Sequence, residues 1–295
     1  MSQSFPDVDR PALDLDGLSD AVCAPLGPYR RLELVESTGS TNADLAAKAA
    51  ADKVGWSDLS VLTAEEQTAG RGRLDREWTA PARSSVIVSI LLRPHNRAGM
   101  PLPTQSYGWC SLVAALALAE ALGDHAKLEA TVKWPNDVLV NGKKISGILA
   151  QMVTYPDGTP PAVVVGTGLN VTLAAEELPV PTATSVALEK GATTDRTVLL
   201  MSYLRIFAQR YRQFCDVNGK ADAEWPDGTS LLSRLSAAMS TLGQQVRAEL
   251  PGGAEIVGEA VGLDSYGALR VRSADGTEHV VAAGDVVHLR PDEGS

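Results

Sequence analysis

The chain is short of the groups that build metal centres and disulfide frameworks: three cysteines and four histidines in 295 residues. Cys23, Cys110 and Cys215 are widely spaced and odd in number, which fits reduced thiols and offers neither a disulfide framework nor a zinc site. His95, His125, His279 and His288 lack the spacing of metal ligands. Basic charge is in deficit as well, with 26 Lys and Arg against 36 Asp and Glu and a net charge of −10. Nonspecific nucleic-acid binding needs basic surface to displace counterions, so that class is excluded, while a local anion site is not. No stretch reads as long and apolar enough to span a bilayer, and the N-terminus lacks the basic start and hydrophobic core of a secretory signal. The expectation is a soluble cytoplasmic protein that binds no DNA and no membrane. There is also no Gly-x-Ser-x-Gly and no cysteine–histidine nucleophile signature.

What is present is ordinary globular material, 44% hydrophobic and 21% charged, long enough for one large domain and one small one. Residues 1–28 hold four prolines and five aspartates against one arginine, which predicts a mobile acidic leader, although Leu13, Leu15 and Leu18 could form a short helix. Residues 29–242 form the large domain. Its strands are expected at Arg30–Val35, Leu59–Ala64, Ser85–Leu92, Ala130–Lys133, near Val138–Val140, Ile145–Val153 and Ala162–Gly166. Helices are expected over 42–50 behind a Ser40 or Thr41 cap, over 104–122 up to Gly123, over 197–214 and over 230–242. Strands without enough helices between them predict an α+β fold with a mixed, largely antiparallel sheet and flanking helices. From Gln244 onward, short β-type runs separated by Gly252-Gly253, Ser265-Tyr266-Gly267 and Asp275-Gly276 predict a small barrel over 243–295.

Five motifs carry chemistry. Gln67-Thr68-Ala69-Gly70-Arg71-Gly72-Arg73 joins glycines that allow close backbone approach to forked guanidiniums suited to carboxylate and phosphate. Arg76 follows, but nearby acids balance the arginines, so the signal is geometric rather than bulk positive charge. Lys133-Trp134-Pro135-Asn136-Asp137 predicts a short exposed turn with an amide and a carboxylate side by side, able to hold a nucleotide or magnesium, or simply to turn the chain. Lys144 opens an apolar strand and can reach into a cleft that Gly147 leaves open; solvated lysines after an Asn141-Gly142 hairpin are the plain alternative. Gly166-Thr167-Gly168-Leu169-Asn170 places an amide at a strand end but lacks a dinucleotide spacing. Ser37 to Asn42 offers short hydrogen-bonding side chains at a helix start, where capping is the plain reading.

In this order, Ser40-Thr41-Asn42, the Gln67–Arg73 loop, Lys133–Asp137, Lys144-Ile145-Ser146-Gly147-Ile148-Leu149 and Gly166–Asn170 resemble the biotin–protein ligases, over roughly residues 30 to 290 and including the terminal Gly284–Leu289 run. Asp75 departs from the glycine common in the family before the next arginine, which would stiffen that turn, and no N-terminal DNA-binding domain is recognised. The resemblance implies a core like that of class II aminoacyl-tRNA synthetases with an SH3-like C-terminal barrel. It implies ATP-dependent formation of biotinyl-5′-AMP and transfer of biotin to a lysine of a biotin carboxyl carrier domain of an acyl-CoA carboxylase, without a repressor function. A lipoate– or octanoate–protein ligase is the nearest rival; the Ser-Thr-Asn cluster and the Trp-Pro-Asn-Asp turn favour biotin.

By the same resemblance Ser40, Thr41, Asn42, Gln67, Gly70, Arg71, Gly72, Arg73, Trp78, Lys144 and Gly147 would surround biotin. Arg73, Arg76, Lys133, Asn136, Asp137 and Asn170 would face the nucleotide, and Lys144, Arg73 and Arg71 would carry catalysis. Magnesium would enter with ATP, with Asp137 as its candidate ligand.

Overall fold

The structure, a computed structural model, describes residues 10–250, 252–283 and 288–291. The first element among the described residues is a helix, α1 (Leu15–Val22), with Asp14 as its N-cap accepting from the Gly17 amide at 3.0 Å. Leu13, Leu18 and Val22 are buried in the core. Residues 10–22 are therefore packed, which corrects the expectation of a mobile leader there: Leu13, Leu18 and Val22 carry enough apolar surface to dock about two turns of helix, the short helix that the leucines allowed. Residues 1–9 lie outside the described chain, as do Gly284–Val287 of the terminal run.

Strand β1 (Arg31–Thr38), helix α2 (Thr41–Ala51) and strand β2 (Ser60–Gln67) follow. The short pair β3 (Gly70–Arg71) and β4 (Glu77–Trp78) precedes β5 (Ser85–Leu92), whose eight residues are all buried, as the apolar run predicts. Next come α3 (Trp109–Ala121), β6 (Ala130–Lys133), β7 (Asp137–Val140), β8 (Lys143–Val153) and β9 (Ala162–Asn170), then α4 (Arg196–Asp216) and α5 (Leu231–Ala238). Apart from the β3–β4 pair, these strands form one seven-stranded sheet in the order β1-β2-β5-β9-β8-β7-β6. Only β1 and β2 run parallel; the other neighbours are antiparallel. The sheet is mixed and largely antiparallel, as expected.

The helix expected over 104–122 is α3, preceded by a 3₁₀ turn and ended by a π turn over Leu122–Ala126. The run Thr104–Ala126, 23 residues containing an 18-residue window of mean hydropathy 1.3, is long and apolar enough to cross a membrane by length and composition alone, where the sequence was read as holding no such stretch. Most of it is buried in this fold, which explains why α3 is apolar on every side. Burial pushes the thiol of Cys215 up to about 12 and that of Cys110 higher still, so neither is a thiolate near neutrality.

Strands β10 (Gln245–Glu249), β11 (Glu255–Leu263), β12 (Leu269–Arg272), β13 (Glu278–Val281) and β14 (His288–Pro291) make a second, antiparallel sheet in the order β13-β12-β11-β10-β14. Its β11–β12 turn is pinned to the large domain by two buried indoles. Trp109 Nε1 donates to Ser265 O at 2.9 Å and Trp134 Nε1 to Gly267 O at 3.0 Å. Gly267 has φ +84°, and a Cβ there would lie 3.2 Å from Leu112, so the turn is both left-handed and tightly seated.

The two faces of the large sheet are covered unequally. Residues of α1, α3, α4 and α5 pack with Val61, Val88, Val163 and Val165 in the main core. The opposite face holds a smaller cluster in which Leu45 and Ala49 of α2 meet Leu62, Leu91 and Val164. Beyond the N-terminus of α2 that face opens into a cavity.

Candidate active site

The cavity, about 670 Å³, has a floor made of backbone. Gly147 on β8 pairs with Gly168 on β9, and Leu149 with Gly166. A Cβ at Gly166 would sit 2.2 Å from Asn42 Oδ1, and one at Gly168 would sit 2.6 Å from the Trp78 indole. One at Gly147 would meet Lys144 Cε and Nζ at 3.2 Å. The three glycines thus let the side chains of α2, β4 and β8 lie flat on the sheet, a close approach that glycine in a strand permits.

One wall is neutral and polar. Ser40 caps α2, accepting from the Ala43 amide at 3.4 Å, so its predicted capping role holds while it also lines the cavity. Thr41 N donates to Gln67 Oε1 at 2.8 Å, and Thr41 Oγ1 lies 2.9 Å from the same oxygen. A backbone N–H can only donate, so the Gln67 oxygen is fixed on Thr41 and its NH₂ is turned away from it. Ser89 Oγ lies 2.8 Å from Thr41 Oγ1 and donates to Asn42 Oδ1 at 2.6 Å; Asn42 Nδ2 donates to Leu149 O at 3.0 Å. The network is buried, and Ser89, fully buried on β5, was not singled out in the sequence. Its signal was present all the same, as a serine inside an otherwise apolar central strand.

The glycine–arginine loop forms the hairpin of β3 and β4, with Gly70 opposite Trp78 and Arg71 opposite Glu77. A Cβ at Gly70 would strike Trp78 O at 2.4 Å and Gln67 Nε2 at 2.6 Å. Arg71, Gly72, Arg73 and Arg76 all border the cavity. Arg73 is half-buried; it donates to Asn136 Oδ1 at 3.5 Å and also to Ala283 O, just after β13. Burial holds its pKa below the usual arginine value, and Asp137 partly restores it. The side chain of Asp75 lies outside what the structure describes.

The cationic wall centres on Lys144, whose Nζ is 2.6 Å from Asp137 Oδ1. The hairpin of β7 and β8 sets this pair, with Asp137 opposite Gly147 and a bulge between Val138 and Leu139. Asn136 Nδ2 donates to Ile148 O at 2.9 Å and Trp134 is buried, so the Trp-Pro-Asn-Asp turn is half-buried rather than exposed as expected. The indole at its root needs the C-terminal sheet. Lys133 borders the cavity at the end of β6. Asn170 also borders it, but its amide is buried and donates to Thr184 O at 2.9 Å, so that side chain holds the loop after β9. Residues 179–183 complete the wall, a segment the sequence did not single out. Lys144 N donates to Thr182 O and Thr184 N to Lys144 O, both at 2.8 Å.

Among the described residues no three His, Cys, Asp or Glu side chains cluster as a metal site. Asp137 fits one ligand position of an ion arriving on phosphates, since magnesium keeps several waters and takes one or two carboxylates; Lys144 now occupies that carboxylate.

Residues 34–170 match the biotin/lipoate A/B protein ligase family, and residues 241–289 match the biotin protein ligase C terminal domain. The biotin--[acetyl-CoA-carboxylase] ligase of Mycobacterium tuberculosis is 40% identical over 95% of this chain and 97% of its own length. That of Paracoccus denitrificans is 37% identical over 85% of this chain and 98% of its own. The biotin protein ligase of Aquifex aeolicus, solved with biotin and ATP, superposes with a TM-score of 0.67 at 26% identity, over 90% of this chain and all of that one.

Proposed function

Because the chain belongs to the biotin protein ligase branch of the biotin/lipoate A/B protein ligase family, we propose that it couples ATP to the attachment of biotin to a lysine of another protein. The biotin carboxylate attacks the α-phosphorus of ATP, giving biotinyl-5′-AMP and pyrophosphate. The neutral amine of the acceptor lysine then attacks the acyl carbon, forming an amide and expelling AMP.

The observation that carries this reading is one glycine floor with two unlike walls. The Thr41–Gln67–Ser89–Asn42 network supplies uncharged donors and acceptors suited to a cyclic urea. Lys144, Arg71, Arg73 and Arg76 border the same cavity and suit a carboxylate meeting a triphosphate. Two anions must approach in the first step, and fixed cations in a partly dry cleft lower that repulsion and the charge of the transition state. Lys144 is aimed by Asp137, which keeps the ammonium at the floor instead of in solvent. Trp78 roofs Gly168 and keeps water from the mixed anhydride, whose hydrolysis competes with transfer. Asp137 is the carboxylate that would hold magnesium carried on ATP, and the ion would supply positive charge toward the leaving pyrophosphate.

We read the β10–β14 sheet as an SH3-like barrel and the seven-stranded sheet with its helices as a core of the class II aminoacyl-tRNA synthetase type. We assign a biotin carboxyl carrier domain of an acyl-CoA carboxylase as the acceptor, in keeping with the relatives' names, and the cytoplasm as the compartment, in keeping with three free thiols. ATP–pyrophosphate exchange with biotin, lipoate and octanoate offered separately tests the reading. Exchange with biotin alone is expected; exchange with lipoate or octanoate but not biotin overturns it.

A further inference from the structure

Two loops form part of the cavity wall: residues 68–84, which leave β2 and return to β5, and residues 171–184, which leave β9. Their roots meet at a buried acid–base pair. Glu65, 1% exposed on β2, holds Arg196, 4% exposed at the start of α4, at 2.7 Å. Neither group touches the cavity, and the reaction described above uses neither. A buried pair of this kind costs more in desolvation than it returns unless its remaining donors and acceptors are also matched.

Part of that matching comes from the N-terminal segment. Leu13 N donates to Glu65 Oε1 at 2.7 Å. Arg196 Nη2 donates to Pro11 O at 2.6 Å, and its Nη1 to Ser85 O, at the return of the first loop, at 3.3 Å. Asp14 N donates to Thr197 Oγ1 at 3.1 Å. The same segment reaches the second loop through Arg10, which donates to Glu177 Oε2 at 2.6 Å and to Thr172 O at 3.3 Å. Glu177 also takes the Ala174 amide at 2.9 Å, just ahead of the 179–183 wall that backs Lys144. Within one five-residue segment, Arg10 therefore reaches the second loop, Leu13 the root of the first, and Pro11 and Asp14 the start of α4.

We infer that residues 10–14 are a strap that sets the spacing of the two cavity walls, with Arg10, Glu65 and Arg196 as positioning residues for biotin and ATP. The strap acts on the ligand-free protein. It holds the walls near the geometry that ligands need, so binding requires less ordering. At saturation the ligands themselves order the walls, so the chemical step is spared. This inference rests on the ligase reading of the cavity for its substrates, but not for the strap's effect on the loops.

The test uses the full chain, the Arg10→Ala and Arg10→Lys variants, a chain lacking residues 2–14, and a chain lacking residues 2–9 that keeps the strap. In biotin-dependent ATP–pyrophosphate exchange, Arg10→Ala is expected to raise the KM for biotin and ATP about five- to tenfold with kcat within about twofold. Arg10→Lys should recover most of that loss, and the chain lacking residues 2–9 should match wild type. Without ligand, amide hydrogen exchange should quicken over 68–84 and 171–184 in Arg10→Ala and stay unchanged in α3. Unchanged KM and exchange in Arg10→Ala would overturn the strap, as would a fall in kcat and Tm with KM unmoved. If the wild-type chain shows no exchange with biotin the ligase reading fails instead, and hydrogen exchange over the two loops still decides the strap.

Discussion

Replacing Lys144 by alanine removes one cation and also uncovers an anion. Lys144 Nζ and Asp137 Oδ1 are 2.6 Å apart, with side-chain exposures of 35% and 25%. Losing a positioned donor to developing charge costs about 2–4 kcal/mol in the transition state. The bared Asp137 carboxylate then faces the reacting anions. At about 6 Å and an effective dielectric near 20 that repulsion is roughly 3 kcal/mol. At this degree of exposure, screening reduces it to about 1–2 kcal/mol. Together the two losses slow biotin adenylation by roughly 10²–10⁴-fold. The double variant Lys144→Ala/Asp137→Asn lacks the second penalty and should regain about tenfold over Lys144→Ala. The assay is biotin-dependent ATP–pyrophosphate exchange, with far-ultraviolet circular dichroism to confirm that each variant is folded. Near-normal exchange by Lys144→Ala would refute the role of the ammonium. A double variant no faster than the single one would refute the argument about Asp137.

Three further predictions concern the floor, the seam and a half-buried acid. Gly168→Ala should push Trp78 off β9 and weaken biotin binding by roughly tenfold or more in calorimetric titration while Tm changes little, because the indole has the cavity to move into; unchanged affinity would show that Trp78 does not touch the ligand. Trp134→Phe removes the indole donor to Gly267 O and should cost about 1–3 kcal/mol, lowering Tm by roughly 2–9 °C in thermal denaturation; an unshifted Tm would mean that the seam does not hold the C-terminal sheet. Asp58 is half-buried, accepts from Arg93 N and Tyr211 Oη, and is pushed up from 3.8 chiefly by desolvation. A carboxyl with a raised folded pKa binds its proton more tightly in the fold, so its contribution is greatest below 3.8 and is lost as pH rises through the raised value. Asp58→Asn should therefore gain in Tm relative to wild type as pH rises above 3.8, and a pH-independent difference would contradict the sign.

Local chemistry made most of the fold legible. Ser85–Leu92 could only be a strand buried on both faces, and Ser40 before an alanine-rich run could only open a helix. The cavity's cations were legible for the same reason, since glycine beside arginine is a local signature. What escaped was long-range. Glu65 looks like any acid at a strand end until Arg196 and the Leu13 amide, far away in sequence, surround it. Ser89 and residues 179–183 join the site only through registers that no single segment displays. The acidic leader misled because aspartates dominate its composition, whereas three leucines at suitable spacing decide its packing.

A floor of bare backbone also sets the direction in which this cavity can change. Side chains that line a pocket can turn aside for a larger guest or fill in behind a smaller one. Gly147, Gly166 and Gly168 have nothing to turn and no rotamers to freeze when a guest arrives. Each is already at the minimum of volume, so any replacement there makes the cavity shallower and none makes it deeper. Room for a bulkier acyl group can come only from the movable rim, above all Trp78 and the 179–183 segment. Variants with altered guests are therefore to be sought in the walls, while the floor acts as a ratchet against anything thicker than a flat ring.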